Sequence, residues 1–297
     1  MTGSSLNPSP GVHLVVGAGE VGSTLATQLA KVGAEVVVVT RSGSGPDVEG
    51  VTRKALDVAD TSALLAAVPE AAVIYNCVNP PYHRWVEDWP PMAQSFLAYA
   101  EASGAVLVTC SNLYGYGPVT VPMTEDLPLA ATGTKAKVRV AMWREALARH
   151  EAGRIKATEV RGSDYIAASD QSMMGDRVVP RVLAGKSVQL LGDIDAPHTW
   201  TSPIDVAQLM VIAGSDERAW GKVWHVPSNP ARSSREVVND IAQTAGVSKV
   251  KVSALPNIAL SAVGLFNPQI RELKETSYQR ERTYILDDSA ARETFAM

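Results

Sequence analysis

Cysteine is scarce in this chain: two in 297 residues, Cys77 and Cys110. Both close apolar, strand-like runs and neither sits in a metal-ligand spacing, which points to a reduced, cytoplasmic protein. The five histidines are scattered, with no i,i+4 pair and no adjacent acid cluster, so no metal site is expected. No G-x-S-x-G elbow is present, which removes support for Ser-His-Asp hydrolysis. No apolar run approaches the length of a membrane span, and residues 1–10 lack the charged and apolar regions of a signal peptide. They read as a disordered lead-in. A net charge of -4 gives no electrostatic argument for nucleic acid or an anionic membrane as partner. What remains, 46% hydrophobic and 20% charged, is the composition of a soluble globular protein with a large core.

The most informative stretch is Val12 to Gly22, an apolar run that meets Gly17, Gly19 and Gly22 in the pattern G-x-G-x-x-G. A helix-like segment, Ser23 to Val32, and a β-branched run, Glu35 to Thr40, follow at once. Strand, glycine turn, helix and strand in this order predict the first unit of a dinucleotide-binding fold. Gly17 supplies the tight turn, Gly19 lets backbone approach a pyrophosphate, and Gly22 lets the helix pack on the strand. Glu20 and Val21, at the helix N-terminus, would add N–H groups and the positive end of the helix dipole.

Further on, strands are expected over Val51–Leu56, Ala72–Val78, Ala105–Cys110 and Ile155–Arg161, and helices over Thr61–Val68, Pro91–Ser103 and Lys135–His150. Such regular alternation predicts an α/β, Rossmann-type doubly wound parallel sheet. Beyond Arg161 the rhythm loosens, with helices expected over Arg177–Ala184, Ile204–Ala213, Ser233–Ala245 and Asn257–Lys274. Short strands are expected over Val188–Leu191, Val223–Val226 and Val250–Val252. The chain divides into a dinucleotide-binding core, 11–165, and a smaller C-terminal substrate-binding portion, 166–297, interleaved with the end of the sheet.

The second strand ends Val39-Thr40-Arg41-Ser42, without the acid that usually holds the ribose 2′-OH of NAD. Arg41 offers a fork of donors to a 2′-phosphate and Ser42 or Ser44 a hydroxyl, so NADP(H) is the expected cofactor. Asp57 and Val58 are placed to meet its adenine, with helix capping as the other use of Asp57. Ligands of open α/β sheets lie beyond the carboxyl ends of the strands. Cys77 and Asn79, the segment Ser111 to Gly117, and Gly162 to Tyr165 should therefore converge on the reactive ring. Tyr82, Trp85 and Trp89 are expected in the loop after strand four, as pocket walls or core plugs. His13, inside the first strand, is expected to be a packed core residue.

The order of the glycine motif, of Asn76-Cys77-Val78-Asn79-Pro80 and of Val108-Thr109-Cys110-Ser111-Asn112-Leu113-Tyr114-Gly115 resembles the extended or atypical short-chain dehydrogenase/reductase superfamily, in its epimerase/dehydratase-like branch. Glu159 to Tyr165, Thr201 to Ala207 and Ser233 to Glu236 are similar to that family's later landmarks. The resemblance implies a catalytic Tyr-x-x-x-Lys at the start of the helix after strand five. Here Ala131 stands four residues before Lys135 and Gly133 before Lys137, so the tyrosine is missing. Lys137 is favoured, over Lys135 or Arg139, to hold the nicotinamide ribose. Tyr114 or Tyr116 would supply a phenol from another direction, with Ser111 or Cys110 polarising the substrate carbonyl.

The expected function is an NADP(H)-dependent oxidoreductase or epimerase-like enzyme on a small hydroxylated or carbonyl substrate, with a homodimer as the candidate assembly. Ser111, Tyr114 and Lys137 are its candidate catalytic residues. The alternatives are a non-catalytic NADP(H)-binding redox sensor, and a non-redox isomerase, cyclase or dehydratase on the same fold.

Overall fold

The computed structural model describes residues 6–167, 169, 172–255 and 275–297. Seven parallel strands form the central sheet, in the spatial order β10-β6-β5-β4-β1-β2-β3. These are β1 (Val12–Val16), β2 (Glu35–Thr40), β3 (Val51–Ala55), β4 (Val73–Asn76), β5 (Val106–Asn112), β6 (Lys156–Gly162) and β10 (Val223–His225). The sheet is covered on both faces, which is why its inner strands are mostly apolar. On one face β1 sends Leu14 and Val16 into a core shared with α2 (Thr61–Ala67), α3 (Trp85–Ser103) and α4 (Thr134–Glu151). On the other, Val15 packs with Leu25 and Leu29 of α1 (Glu20–Lys31) and with Val206, Leu209 and Met210 of α6 (Pro203–Ser215). Strand order reverses between β1 and β4, and the opening at that switch point is where a ligand binds in such sheets.

The C-terminal residues build small additions onto this frame. Strand β7 (Asp164–Tyr165) pairs in parallel with β9 (Trp200–Thr201), and β8 (Val188–Leu190) with β11 (Val252–Ala254). A third core gathers Val182 of α5 (Val179–Leu183), Val188, Leu190, and Val237 and Val238 of α7 (Ser234–Thr244). Helix α7 starts with a reciprocal capping box between Ser233 and Glu236. The short α8 (Tyr278–Glu281) and α9 (Ser289–Phe295) complete the described chain. Because β10 belongs to the main sheet and α6 packs on it, that layered core draws on both halves of the sequence.

Several sequence expectations need correction. Helix α3 begins at Trp85, not Pro91, with Pro90 and Pro91 inside it. Trp85 and Trp89 are therefore helical and fully buried, and their burial offsets the ladder bonds the prolines forgo. Strand β4 stops at Asn76, so Cys77 lies past its end, while β5 runs on through Ser111 to Asn112. The last short strand is Val252–Ala254 in place of Val250–Val252. The helix expected over Asn257–Lys274 lies outside the described residues. His13 is buried as expected, between the Tyr75 hydroxyl at 3.0 Å and the Ser9 carbonyl at 2.8 Å. Among the described residues no helix is long and apolar enough to cross a membrane, and no group of three or more His, Cys, Asp or Glu could hold a metal ion.

Candidate active site

A single cleft runs along the carboxyl ends of the strands, with a volume of about 1480 Å³. That exceeds the 300–1,000 Å³, roughly, of a site for one drug-sized ligand, so a dinucleotide and a second molecule fit together. One end is the glycine turn. Gly17 has φ +96°, and a Cβ there would stand 2.7 Å from the Cys77 carbonyl oxygen. Gly19 is the N-cap of α1 and no side chain caps that helix, which leaves its first N–H groups to a ligand. This cradle fits a pyrophosphate. Glu20 and Val21 line the cleft beside it; Gly22 does not, because it packs against the Gly17 carbonyl. Its contribution visible here is the shape of the turn.

Arg41, Asp57 and Val58 line the same end. Arg41 is exposed, on the tip of β2. Ser42 falls outside the lining, since its hydroxyl turns to Ser44 at 2.9 Å. Asp57 accepts the Ala59 N–H at 3.0 Å, and the cap of α2 is Asp60, which accepts from Ala63.

Toward the other end the strand termini converge. Cys77, Asn79, Tyr82, Cys110, Ser111 and Tyr114 all line the cleft. The hydroxyls of Tyr82 and Tyr114 meet at 2.6 Å, although 31 positions of chain lie between them. Tyr82 packs edge-on against Trp85, and Trp85 stacks on Tyr114 at 6.1 Å. Burial pushes both phenols up, Tyr114 well above its ordinary range, while the bond between them raises Tyr114 and lowers Tyr82. Either hydroxyl can donate in this bond. Ser111 is 5% exposed, and its Oγ has no hydrogen-bond partner among the described residues. Burial raises the thiols of Cys77 and Cys110, which makes them inert walls and not nucleophiles. Across the cleft stands Asp164, whose Oδ2 approaches His198 Nε2 at 3.3 Å without hydrogen-bond alignment. Burial opposes its charge, but His198 and Arg280 hold the carboxyl below its usual range. Tyr116 does not reach the cleft: its hydroxyl is buried between Arg161 and His225.

The model of the "NAD dependent epimerase/dehydratase family" matches residues 13–226, which is most of the chain and includes every strand of the central sheet but the first residue of β1. The chain belongs to this family. No curated protein matches it in sequence. Among solved structures it is similar to an epimerase from Methanothermobacter thermautotrophicus, with TM-score 0.78 and 17% identity over 96% of this chain and 86% of that one. It is also similar to the dTDP-glucose 4,6-dehydratase of Bacillus anthracis in complex with NAD (TM-score 0.75, 17% identity, 96% and 90% covered). The UDP-glucose 4-epimerase of Thermotoga maritima is comparable (TM-score 0.73, 17% identity, 95% and 91% covered). At such identity the likeness is one of fold.

In this member of the epimerase/dehydratase family, α4 presents its bases in two directions. Residues 135 and 139 are one turn apart and face inward; residue 137, between them, faces outward. Lys137 is accordingly exposed and does not line the cleft, which corrects the sequence expectation. Lys135 is buried, its Nζ 3.1 Å from Glu275 and 5.7 Å from the centre of the Tyr82 ring. Arg139 does line the cleft, its guanidinium 4.8 Å from the Trp85 ring and 4.3 Å from Trp89. Sequence reasoning underweighted Arg139, and the i,i+4 spacing from Lys135 was the available signal. It had no signal for the Tyr82–Tyr114 bond or for Asp164 facing His198.

Proposed function

We propose that this protein is an NADP(H)-dependent oxidoreductase or epimerase-like enzyme acting on a small hydroxylated or carbonyl substrate. The observation that carries the reading is the Tyr82–Tyr114 hydroxyl pair, set at the strand ends in the cleft that begins at the glycine cradle. Bound nicotinamide supplies or accepts the hydride. Gly17, Gly19, Glu20 and Val21 hold the pyrophosphate, Arg41 the 2′-phosphate, and Asp57 and Val58 flank the adenine. Cys77 and Asn79 wall the nicotinamide end. Tyr114, or Tyr82 through it, exchanges a proton with the substrate oxygen, and Ser111 hydrogen-bonds that oxygen. The pair takes over the work of the tyrosine that Ala131 replaces. Residues beyond 165 close the substrate side.

A second reading draws on the same departure. With Ala131 in place of tyrosine and Lys137 outside the cleft, the fold would bind NADP(H) without turnover, as a redox sensor. Titration with NADP⁺ and NAD⁺, followed by reduced-nicotinamide absorbance with a panel of carbonyl compounds, separates the two. Tighter binding of NADP⁺ with turnover supports the enzyme, binding without turnover supports the sensor, and tighter binding of NAD⁺ ends the NADP assignment.

A further inference from the structure

Arg139 is 7% exposed, yet it forms no ion pair among the described residues. The carboxylate that acts on it, Glu159, is engaged elsewhere, holding Arg161 at 2.7 Å. Its Nη1 leans on the Cys110 carbonyl at 3.4 Å, a long contact, and its Nε has no acceptor. Two tryptophan faces support the cation but neutralise none of its charge. A buried guanidinium left this way is expensive, and the group cannot escape by losing its proton. The next residue on β5 past Cys110 is Ser111, whose buried hydroxyl also lacks a partner. Both groups line the cleft, and the Trp85 ring that Arg139 covers stacks on Tyr114. A fork with only donors that reaches the Cys110 carbonyl, and the unsatisfied hydroxyl of the next residue, call for a ligand with acceptor oxygens and negative charge.

We infer that Arg139 is the binding residue for an oxyanion, carboxylate or phosphate, carried by the substrate beside its reacting carbon, with Ser111 next to it. The inference rests on the reading of the cleft as that of a nicotinamide-dependent protein, and it narrows the substrate class to acids. Arg41 serves the cofactor at the far end, so the two arginines sort two different anions along one cleft.

The full chain is titrated with pyruvate, with its neutral amide pyruvamide and with inorganic phosphate, alone and saturated with NADP⁺, at constant ionic strength, following Tm. Pyruvate or phosphate is expected to raise Tm and pyruvamide is not. Arg139→Met should weaken the anion at least about tenfold while NADP⁺ binding survives. A response to pyruvate identifies a carboxylate, and a response confined to phosphate identifies a phosphate ester. Anion binding equal in wild type and Arg139→Met, or no response to either anion, overturns the inference. Should the Met variant not fold, Arg139→Lys, which keeps the charge and loses the fork, carries the comparison, and unchanged affinity there overturns it. Anion binding without NADP⁺ binding defeats the functional reading above and leaves this site standing; the converse result defeats this site alone.

Discussion

Gly22 lies so close against the Gly17 carbonyl oxygen that a Cβ on it would overlap that atom. The turn that offers backbone to a pyrophosphate is therefore locked from below by the helix it precedes. Gly22→Ala should push α1 off β1, lowering stability by about 1–3 kcal/mol or more and weakening nicotinamide nucleotide binding at the same time. Thermal denaturation and nucleotide titration measure the two losses. A variant with wild-type Tm and affinity would show that the helix can move aside freely.

Arg41 is exposed at the tip of β2, and no acid shares that tip. Arg41→Ala should weaken NADP⁺ binding by about 10–100-fold, the worth of one charge-assisted contact, and leave NAD⁺ binding unchanged. Equal losses for both cofactors would move Arg41 from the 2′-phosphate to a general role at the cleft mouth.

The sheet and the glycine turn were legible because they are local. The inner strands β1, β2 and β4 are buried on both faces and mostly apolar, and the three glycines recur within six residues, although the carbonyl that would meet a Cβ on Gly17 belongs to distant Cys77. Helix α3 was misread at its start because Pro90-Pro91 imitates a boundary, while the burial of Trp85 and Trp89 that carries the helix through it is tertiary. On α4, bases at 135, 137 and 139 left the inward face undecided until the sheet fixed it. Two-residue strands such as β7 and β9 have no periodicity to read, so the approach of His198 to Asp164 was invisible. The site is made of such distant pairs.

The Tyr82–Tyr114 bond makes a graded prediction. Removing either hydroxyl breaks the bond between them, but only the phenol that touches the substrate is lost from the chemistry. Tyr114→Phe should reduce kcat by roughly 10²–10⁴-fold with KM little changed, and Tyr82→Phe should reduce it less, measured as reduced-nicotinamide absorbance under saturating substrate. The reverse order would make Tyr82 the proton donor and Tyr114 the group that positions it. An undiminished rate in both variants removes the pair from the mechanism.

Away from the cleft, the buried sequence Arg161, Tyr116, His225 fixes a proton inventory. Arg161 only donates, so the Tyr116 oxygen accepts from Nη1 at 2.8 Å and its single O–H must go to His225 Nε2, also at 2.8 Å. His225 Nδ1 then carries the proton and donates to the Asp287 carbonyl at 2.9 Å. The imidazole is neutral, and burial lowers its pKa to about 4, with Arg161 acting in the same direction against the Asp287 carbonyl. Between about pH 6.5 and 4 the unfolded chain binds a proton here that the folded chain refuses. Stability is therefore complete above pH 6.5 and falls as pH drops toward 4, by up to roughly 3 kcal/mol. Glu125, whose side chain accepts the His225 backbone N–H, opposes this trend, because burial holds its carboxyl above the ordinary range and the folded form keeps its proton longer. His225→Gln, which keeps a polar group in place but cannot titrate, should flatten the loss between pH 6.5 and 4 in urea denaturation. Parallel pH profiles for wild type and variant would place the acid sensitivity in the carboxylates instead.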